Sequence, residues 1–402
     1  MEFPVTERQA RFMATADDLA VRFAERAERH DRDGSFPFEN FADLHETGYL
    51  ALSVPREYGG EEADPLEIAL AQERLARGCG STALMTTMHL ALIGRLSVLR
   101  PWPESLFAEM CREVVANGAL INTTNSEPDM GSPSRGGLPN TTLVRTSEGW
   151  ALNGRKRWGS LAPGLTFFSI LAAVDDGETP PRRGNVLLRA GAPGLRIEET
   201  WDNLGMRATA SHDIVLEDVR LPAATPILPE SPATPDSAGW NAFPSAAVWL
   251  GIAGAARDAA VKFARERRPS GMSGPIAELQ TIQHRIAELE LLLWQAHMAL
   301  FTTARRWVEQ PEARSGMDWE LAAVKYVVTN NAIRITDLAL RVTGSAGLSR
   351  SLPLERYFRD VRAGLGQPPM DDATLTLVGK TALGLTGKPA ASRPEPVPAG
   401  AD

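Results

Sequence analysis

The residue types best suited to chemistry cluster between Ile121 and Ser160. Ser126-Glu127-Pro128-Asp129-Met130-Gly131-Ser132 sets two hydroxyls, a proline and a glycine between apolar runs. A loop of that make-up aims backbone N–H groups and short hydroxyls at an anion or a polar heterocycle. Trp150-Ala151-Leu152-Asn153-Gly154-Arg155-Lys156-Arg157-Trp158 reads as strand, Asn153-Gly154 hairpin turn, strand. An aromatic and hydroxyls presented together by a loop and a hairpin suit a flat, hydrogen-bonding cofactor.

The elements that must position these residues fall into three blocks. Residues 1–118 carry helical periodicity, beginning with a Thr6/Gln9 capping box and the amphipathic series Phe12, Leu19, Ala20, Phe23. Asp64-Pro65 opens a further helix with proline near its first turn. Across 119–227, short runs of Thr, Val, Ile and Leu alternate with polar residues between turn signals, the pattern of short antiparallel strands. Residues 223–240 are rich in Pro and Ala and read as a linker leading into the block 228–386. Four long helices are expected there, over 246–265, 279–308, 319–343 and 372–384, the count for a bundle. The tail 387–402 has the composition of a disordered segment. The fold class expected is α+β, mostly α.

A net charge of −8 argues against nucleic acid or an anionic membrane as partner. Cys79 and Cys111 stand far apart, and the six histidines form no ligand spacing, so neither a disulfide nor a zinc site is expected. The N-terminus lacks an apolar signal segment, and no uninterrupted apolar run approaches the ~20 residues that span a bilayer. A cytoplasmic protein is the expectation.

Six motifs in register resemble the flavin-dependent acyl-CoA dehydrogenases: residues 54–60 (VPREYGG), 126–132, 152–158 (LNGRKRW), 204–207 (LGMR), 344–347 (GSAG) and 352–360 (LPLERYFRD). The resemblance implies an N-terminal helical domain, a small central antiparallel β-barrel domain and a C-terminal four-helix bundle. It implies FAD, with Ser126 on the pyrimidine edge of the ring, Trp158 packed beside it and Ser160 donating toward N5. Ser132 would lie at the pyrophosphate and the mouth of the substrate channel. Arg267 matches the arginine that reaches a neighbouring subunit's FAD, and Gly344 and Gly347 match a turn that approaches the cofactor closely. The chain departs from the pattern at Arg341, Ser345 and Ser270, and two extra residues precede Gln280. A homotetramer is implied, with the very apolar segment 289–293 as its physical echo. The electron acceptor would be an electron-transfer flavoprotein or O2.

A dehydrogenase of this kind needs a base for the α-proton. The usual glutamate, eight residues beyond the Arg-Asp pair, is Pro368 here, and residues 239–244, an alternative place in the family, hold no carboxylate. Asp371 or Asp372 would serve if the loop shifts, though an aspartate there also suits a helix N-cap. His89 is the other candidate. It is equally a core residue, but monooxygenases of the dibenzothiophene type on this fold carry a His on a comparable helix. Dehydrogenation of an acyl thioester leads. A monooxygenase using reduced flavin and O2 is the alternative, and a flavin-binding protein without turnover is the third reading.

Overall fold

The computed structural model describes residues 5–128, 137–230 and 234–385. The chain begins with α1 (Glu7–Asp33), whose capping box forms as the sequence predicts. Thr6 Oγ1 accepts from the Gln9 N–H, and Gln9 Oε1 from the Thr6 N–H. Then come α2 (Phe38–Glu46), α3 (Pro65–Gly78), α4 (Gly80–Leu99) and α5 (Glu104–Asn117). The expected start at Asp64-Pro65 is borne out, with a second capping box between Asp64 and Glu67. Among the described residues α4 is long and apolar enough to cross a bilayer, although its sequence shows no uninterrupted apolar run; 72% of the apolar window is buried inside the protein.

Seven strands follow among the described residues: β1 (Ile121–Thr124), β2 (Thr142–Thr146), β3 (Gly149–Gly159), β4 (Phe167–Asp175), β5 (Arg182–Arg189), β6 (Leu195–Glu198) and β7 (His212–Pro222). Their order is β1-β4-β2-β3-β7-β6, with β5 on β4. Here the structure corrects two expectations. The sheet is mixed and open rather than an antiparallel barrel, because β1 and β2 both run parallel to β4. Nor do Asn153 and Gly154 make a hairpin. β3 runs straight through them as a bulge against β7, while the β2–β3 reversal falls at residues 146–149. Gly154 (φ +153°) leaves room for Thr141, whose Oγ1 would stand 2.4 Å from an added Cβ. Asn153 Oδ1 accepts from the Asp218 N–H. Pairing with two neighbouring strands outweighs the local turn preference.

The C-terminal helices are α6 (Pro235–Glu266), α7 (Gln280–Glu309), α8 (Asp318–Thr343), the short α9 (Leu354–Asp360) and α10 (Asp371–Ala382). α6 starts eleven residues before the expected 246, inside what reads as a linker; Pro235 takes its first position, Thr234 caps it, and Pro244 is carried inside the helix. α6, α7 and α8 pack on one another, and α6 also packs on α3 and α4. α10 rests on α8 and buries only Thr374. Among the described residues one apolar core joins the N-terminal helices, the sheet and α6–α8. The tail expected to be disordered, 387–402, lies outside the described residues.

Candidate active site

The loop after β1 is pinned from beneath by a buried ion pair. Glu127 and Lys156, at 1% and 0% side-chain exposure, meet at 2.6 Å. Glu127 also accepts from the Asn140 N–H at 2.6 Å and the Thr141 N–H at 3.0 Å. Burial alone would raise the Glu127 carboxyl; the hydrogen bonds from Lys156 and Thr141 outweigh it and hold the group below its ordinary value. Burial pulls the Lys156 ammonium down, against the opposing pull of Glu127. One residue before Glu127, the half-buried Ser126 is tied to β3 by its carbonyl, which accepts from the Arg157 N–H at 2.9 Å.

At the end of β3 the pairing with β7 slips between Lys156 and Gly159. Trp158 falls in that slip with φ +59° and 62% of its surface exposed. A bulky residue in left-handed backbone costs on the order of 1–2 kcal/mol, and such strain concentrates at functional sites. Ser160 follows, half-buried, its N–H on the Trp158 carbonyl and its own carbonyl accepting from Asn122 Nδ2 at 3.1 Å. Asn122 belongs to β1, so β1 and β3 together hold Ser126, Trp158 and Ser160 in one corner.

Behind Ser160 a row of hydroxyls leads inward. Ser160 Oγ lies 2.8 Å from Ser211 Oγ, which lies 2.8 Å from Thr209 Oγ1. Thr209 Oγ1 reaches the Met206 carbonyl at 2.9 Å. The turn at Leu204–Met206 sits on the end of α9 so closely that a Cβ on Gly205 would fall 2.4 Å from the Arg359 carbonyl oxygen. Met206 N–H donates to Asp360 Oδ1 at 2.6 Å. Asp360 is buried, and that burial pushes its carboxyl up to about 6 against the pull of the Met206 N–H and of Arg356 and Arg359.

The expected bases lie elsewhere. His89 is fully buried; its Nδ1 accepts from the Ile121 N–H at 3.2 Å and its Nε2 faces the Leu50 carbonyl at 3.1 Å. Burial lowers its pKa to about 4. Both nitrogens are taken by backbone, and the ring clamps α4 to β1. Asp371 and Asp372 stand in the first turn of α10, whose N-cap is Met370. Asp371 faces Lys325 Nζ at 3.4 Å and Asn330 Nδ2 at 3.1 Å on α8, whereas Asp372 is exposed. Arg267 is exposed at the end of α6. Gly344 (φ +60°) closes α8 with open space where a side chain would stand. Gly347 instead has Thr343 Oγ1 only 2.1 Å from a notional Cβ, so its own helical turn requires it. Arg341 is paired with Asp337 at 2.8 Å. Ser132 lies outside the described residues.

Three family models cover the chain in order: the acyl-CoA dehydrogenase N-terminal domain over residues 6–100, the middle domain over 122–219 and the C-terminal domain over 237–365. A Bacillus subtilis (strain 168) protein, the putative acyl-CoA dehydrogenase YdbM, is 41% identical over 374 residues, 93% of this chain and 97% of that one. The chain belongs to the acyl-CoA dehydrogenase family. It is accordingly a flavoprotein oxidoreductase acting on a CH–CH group, and the resemblance carried by the six motifs is borne out. Among solved structures, KijD3 in complex with FMN and a dTDP-linked amino-keto sugar superposes with a TM-score of 0.82 at 29% identity, covering 95% of each chain. Butyryl-CoA dehydrogenase from Megasphaera elsdenii superposes with a TM-score of 0.82 at 22% identity, over 95% of this chain and 100% of that one, and shows the fold alone.

The donor set of this acyl-CoA dehydrogenase fits a flavin. An exposed indole in strained backbone supplies a flat wall, Ser160 ends a hydroxyl row at the surface, and Gly344 leaves its backbone open to close approach. Sequence reading singled out Ser126, Trp158 and Ser160 and missed what holds them. Glu127 and Lys156 lie inside the motifs at 126–132 and 152–158, yet nothing local marks two residues 29 apart as a pair. Asn122, Thr209 and Ser211 carry no motif signal.

Proposed function

We propose that this acyl-CoA dehydrogenase family member is an FAD-dependent enzyme that introduces an α,β double bond into an acyl thioester, carried on CoA or a carrier protein. The observation carrying the reading is the corner where exposed Trp158, in left-handed backbone, adjoins Ser160 and Ser126. When bound, the flavin supplies hydride acceptance at N5. The chain's own residues bind and orient: Ser126 toward the pyrimidine edge, Trp158 against the ring face, Ser160 at N5. FAD is favoured over FMN by Arg267 and the Gly344 turn, an exposed cation and an open backbone suited to the nucleotide half held by a neighbouring subunit. Exposed Leu291, Trp294 and Met298 on α7, one helical face, support a homotetramer. For the α-proton we keep Asp371 as the candidate base, a carboxylate outside this corner that Lys325 and Asn330 hold in a fixed position. An electron-transfer flavoprotein would reoxidise the flavin, and the protein would work in the cytoplasm.

A second reading is a monooxygenase using reduced flavin and O2. Favouring it is Pro368, which stands where a base is usual. The two are separated by adding acyl thioesters anaerobically to the yellow protein. Dehydrogenation bleaches the flavin; Asp371→Asn should keep the colour and slow bleaching on the order of 100-fold or more, while Asp372→Asn should change little. Bleaching at the wild-type rate in Asp371→Asn removes Asp371 as base. Inertness to thioesters, with oxygen-dependent product once a flavin reductase is present, selects the monooxygenase.

A further inference from the structure

The row Ser160–Ser211–Thr209 has a property that its proton count decides. Three hydroxyls supply three protons, and the row ends on the Met206 carbonyl. With Thr209 donating to Met206 O, the only consistent order is Ser160 to Ser211 to Thr209 to carbonyl. Ser160 then shows only lone pairs outward. Rotating all three hydroxyls reverses the row: Thr209 donates to Ser211, Ser211 to Ser160, and Ser160 presents its proton outward. Reversal abandons no buried carbonyl, because Met206 O also accepts from the Trp201 Nε1–H at 3.0 Å and the Thr209 N–H at 3.1 Å. Thr209 and Ser211 are buried and Ser160 is half-buried, so the row opens to the surface at one end, beside Trp158.

We propose that Thr209 and Ser211 are positioning residues of the flavin site, forming with Ser160 a reversible hydroxyl row that donates to N5 of oxidised flavin and accepts from N5–H of reduced flavin. This rests on the reading that Ser160 faces N5. Oxidised N5 carries a lone pair and no hydrogen; dehydrogenation delivers the substrate's hydride there, so the partner must change from donor to acceptor. A lone serine makes that change by leaving its own proton unpaired. Here the proton passes down the row. Counting bonds, the acceptor arrangement holds one more than the donor arrangement, the Thr209 hydroxyl on an already well-served carbonyl. The row therefore favours reduced flavin modestly.

The test is the two-electron midpoint potential of flavin bound to the full-length protein, by dye-equilibrated anaerobic titration, in wild type, Ser211→Ala, Thr209→Val and Thr209→Ser. Ser211→Ala and Thr209→Val each remove the extra bond. Each should weaken the preference for reduced flavin about three- to tenfold, a fall of about 15–30 mV at about 30 mV per tenfold for two electrons. Thr209→Ser keeps the hydroxyl and should restore the wild-type value, which a merely structural role would not predict. Unchanged potentials in both disrupting variants overturn the proposal, as does a fall in Thr209→Ser equal to that in Thr209→Val. Should Ser211→Ala fail to retain flavin, the Thr209 pair decides alone. Ser160→Ala separates the two layers: if it leaves the potential unchanged, or wild type binds no flavin, the placement of Ser160 at N5 is wrong and the proposal falls with it. If Ser160→Ala shifts the potential and the disrupting variants do not, only the row is overturned.

Discussion

Glu127→Gln is the most informative single change in the protein. The substitution keeps the shape but leaves one oxygen where the Asn140 and Thr141 N–H groups use two, and it removes the charge facing Lys156 Nζ at 2.6 Å. Lys156 has no surface exposed, so its ammonium cannot turn to water for compensation. Removing one partner of a buried pair costs about 3–5 kcal/mol, because the remaining charge is stranded. The converse change, Lys156→Met, leaves a carboxylate still served by two backbone N–H donors and should cost less, about 2–3 kcal/mol. The double variant replaces the pair by a neutral amide and an apolar chain and should recover at least ~2 kcal/mol relative to the sum of the singles. Urea unfolding at pH 7 measures all four proteins. Because Glu127 adjoins Ser126, the loop must then be ordered by the ligand. Flavin affinity in Glu127→Gln should drop about tenfold or more, at 1.4 kcal/mol per tenfold, read by quenching of flavin fluorescence. Single-variant costs below ~1 kcal/mol that simply add would refute the claim that this pair holds the loop.

Two buried groups make opposite demands on pH. His89, with its pKa lowered to about 4, binds fewer protons folded than unfolded, so its contribution is full above pH 6.5 and about 3 kcal/mol is lost as pH falls toward 4. His89→Gln, whose amide can still meet Leu50 O and Ile121 N–H, should remove that loss in urea unfolding at stepped pH; an unaltered slope would mean the ring is not held neutral. Asp360, raised to about 6, binds more protons folded than unfolded, so its contribution is full below 3.8 and about 3 kcal/mol is lost as pH rises through 6. The windows overlap, so these two contributions nearly offset each other between pH 4 and 6; relative to wild type, Asp360→Asn should lose stability on acidification and His89→Gln on alkalinisation. Parallel profiles for the two variants would contradict both assignments.

What was legible in the sequence, and what was not, divides along the range of the interaction responsible. The capping box at Thr6 and the helix start at Asp64-Pro65 need only neighbouring residues, and both form where the sequence predicts; the Asp64/Glu67 box comes with the second. The Ser126 loop and the Trp158–Ser160 end of β3 are likewise local, and a single β1–β3 corner brings them together. Asn153-Gly154 is equally local yet misled, because strands on either side, anchored at Thr141 and Asp218, override the turn preference. The parallel pairing of β1 with β4, across 46 residues, leaves no mark on either strand's alternation. Pro235 lies in the stretch that reads as a linker and Pro244 just ahead of the expected helix start at 246; α6 begins at the first and runs on through the second. His89 shows the limit most clearly. Its residue type and neighbours allow a catalytic histidine, and the two groups that occupy its nitrogens, the Leu50 carbonyl and the Ile121 N–H, are backbone atoms common to every sequence. Side-chain identity can nominate a group for chemistry. Whether that group has a lone pair or proton to spare depends on main-chain partners supplied by the fold, and the same dependence makes Ser160 one end of a hydroxyl row rather than an isolated donor.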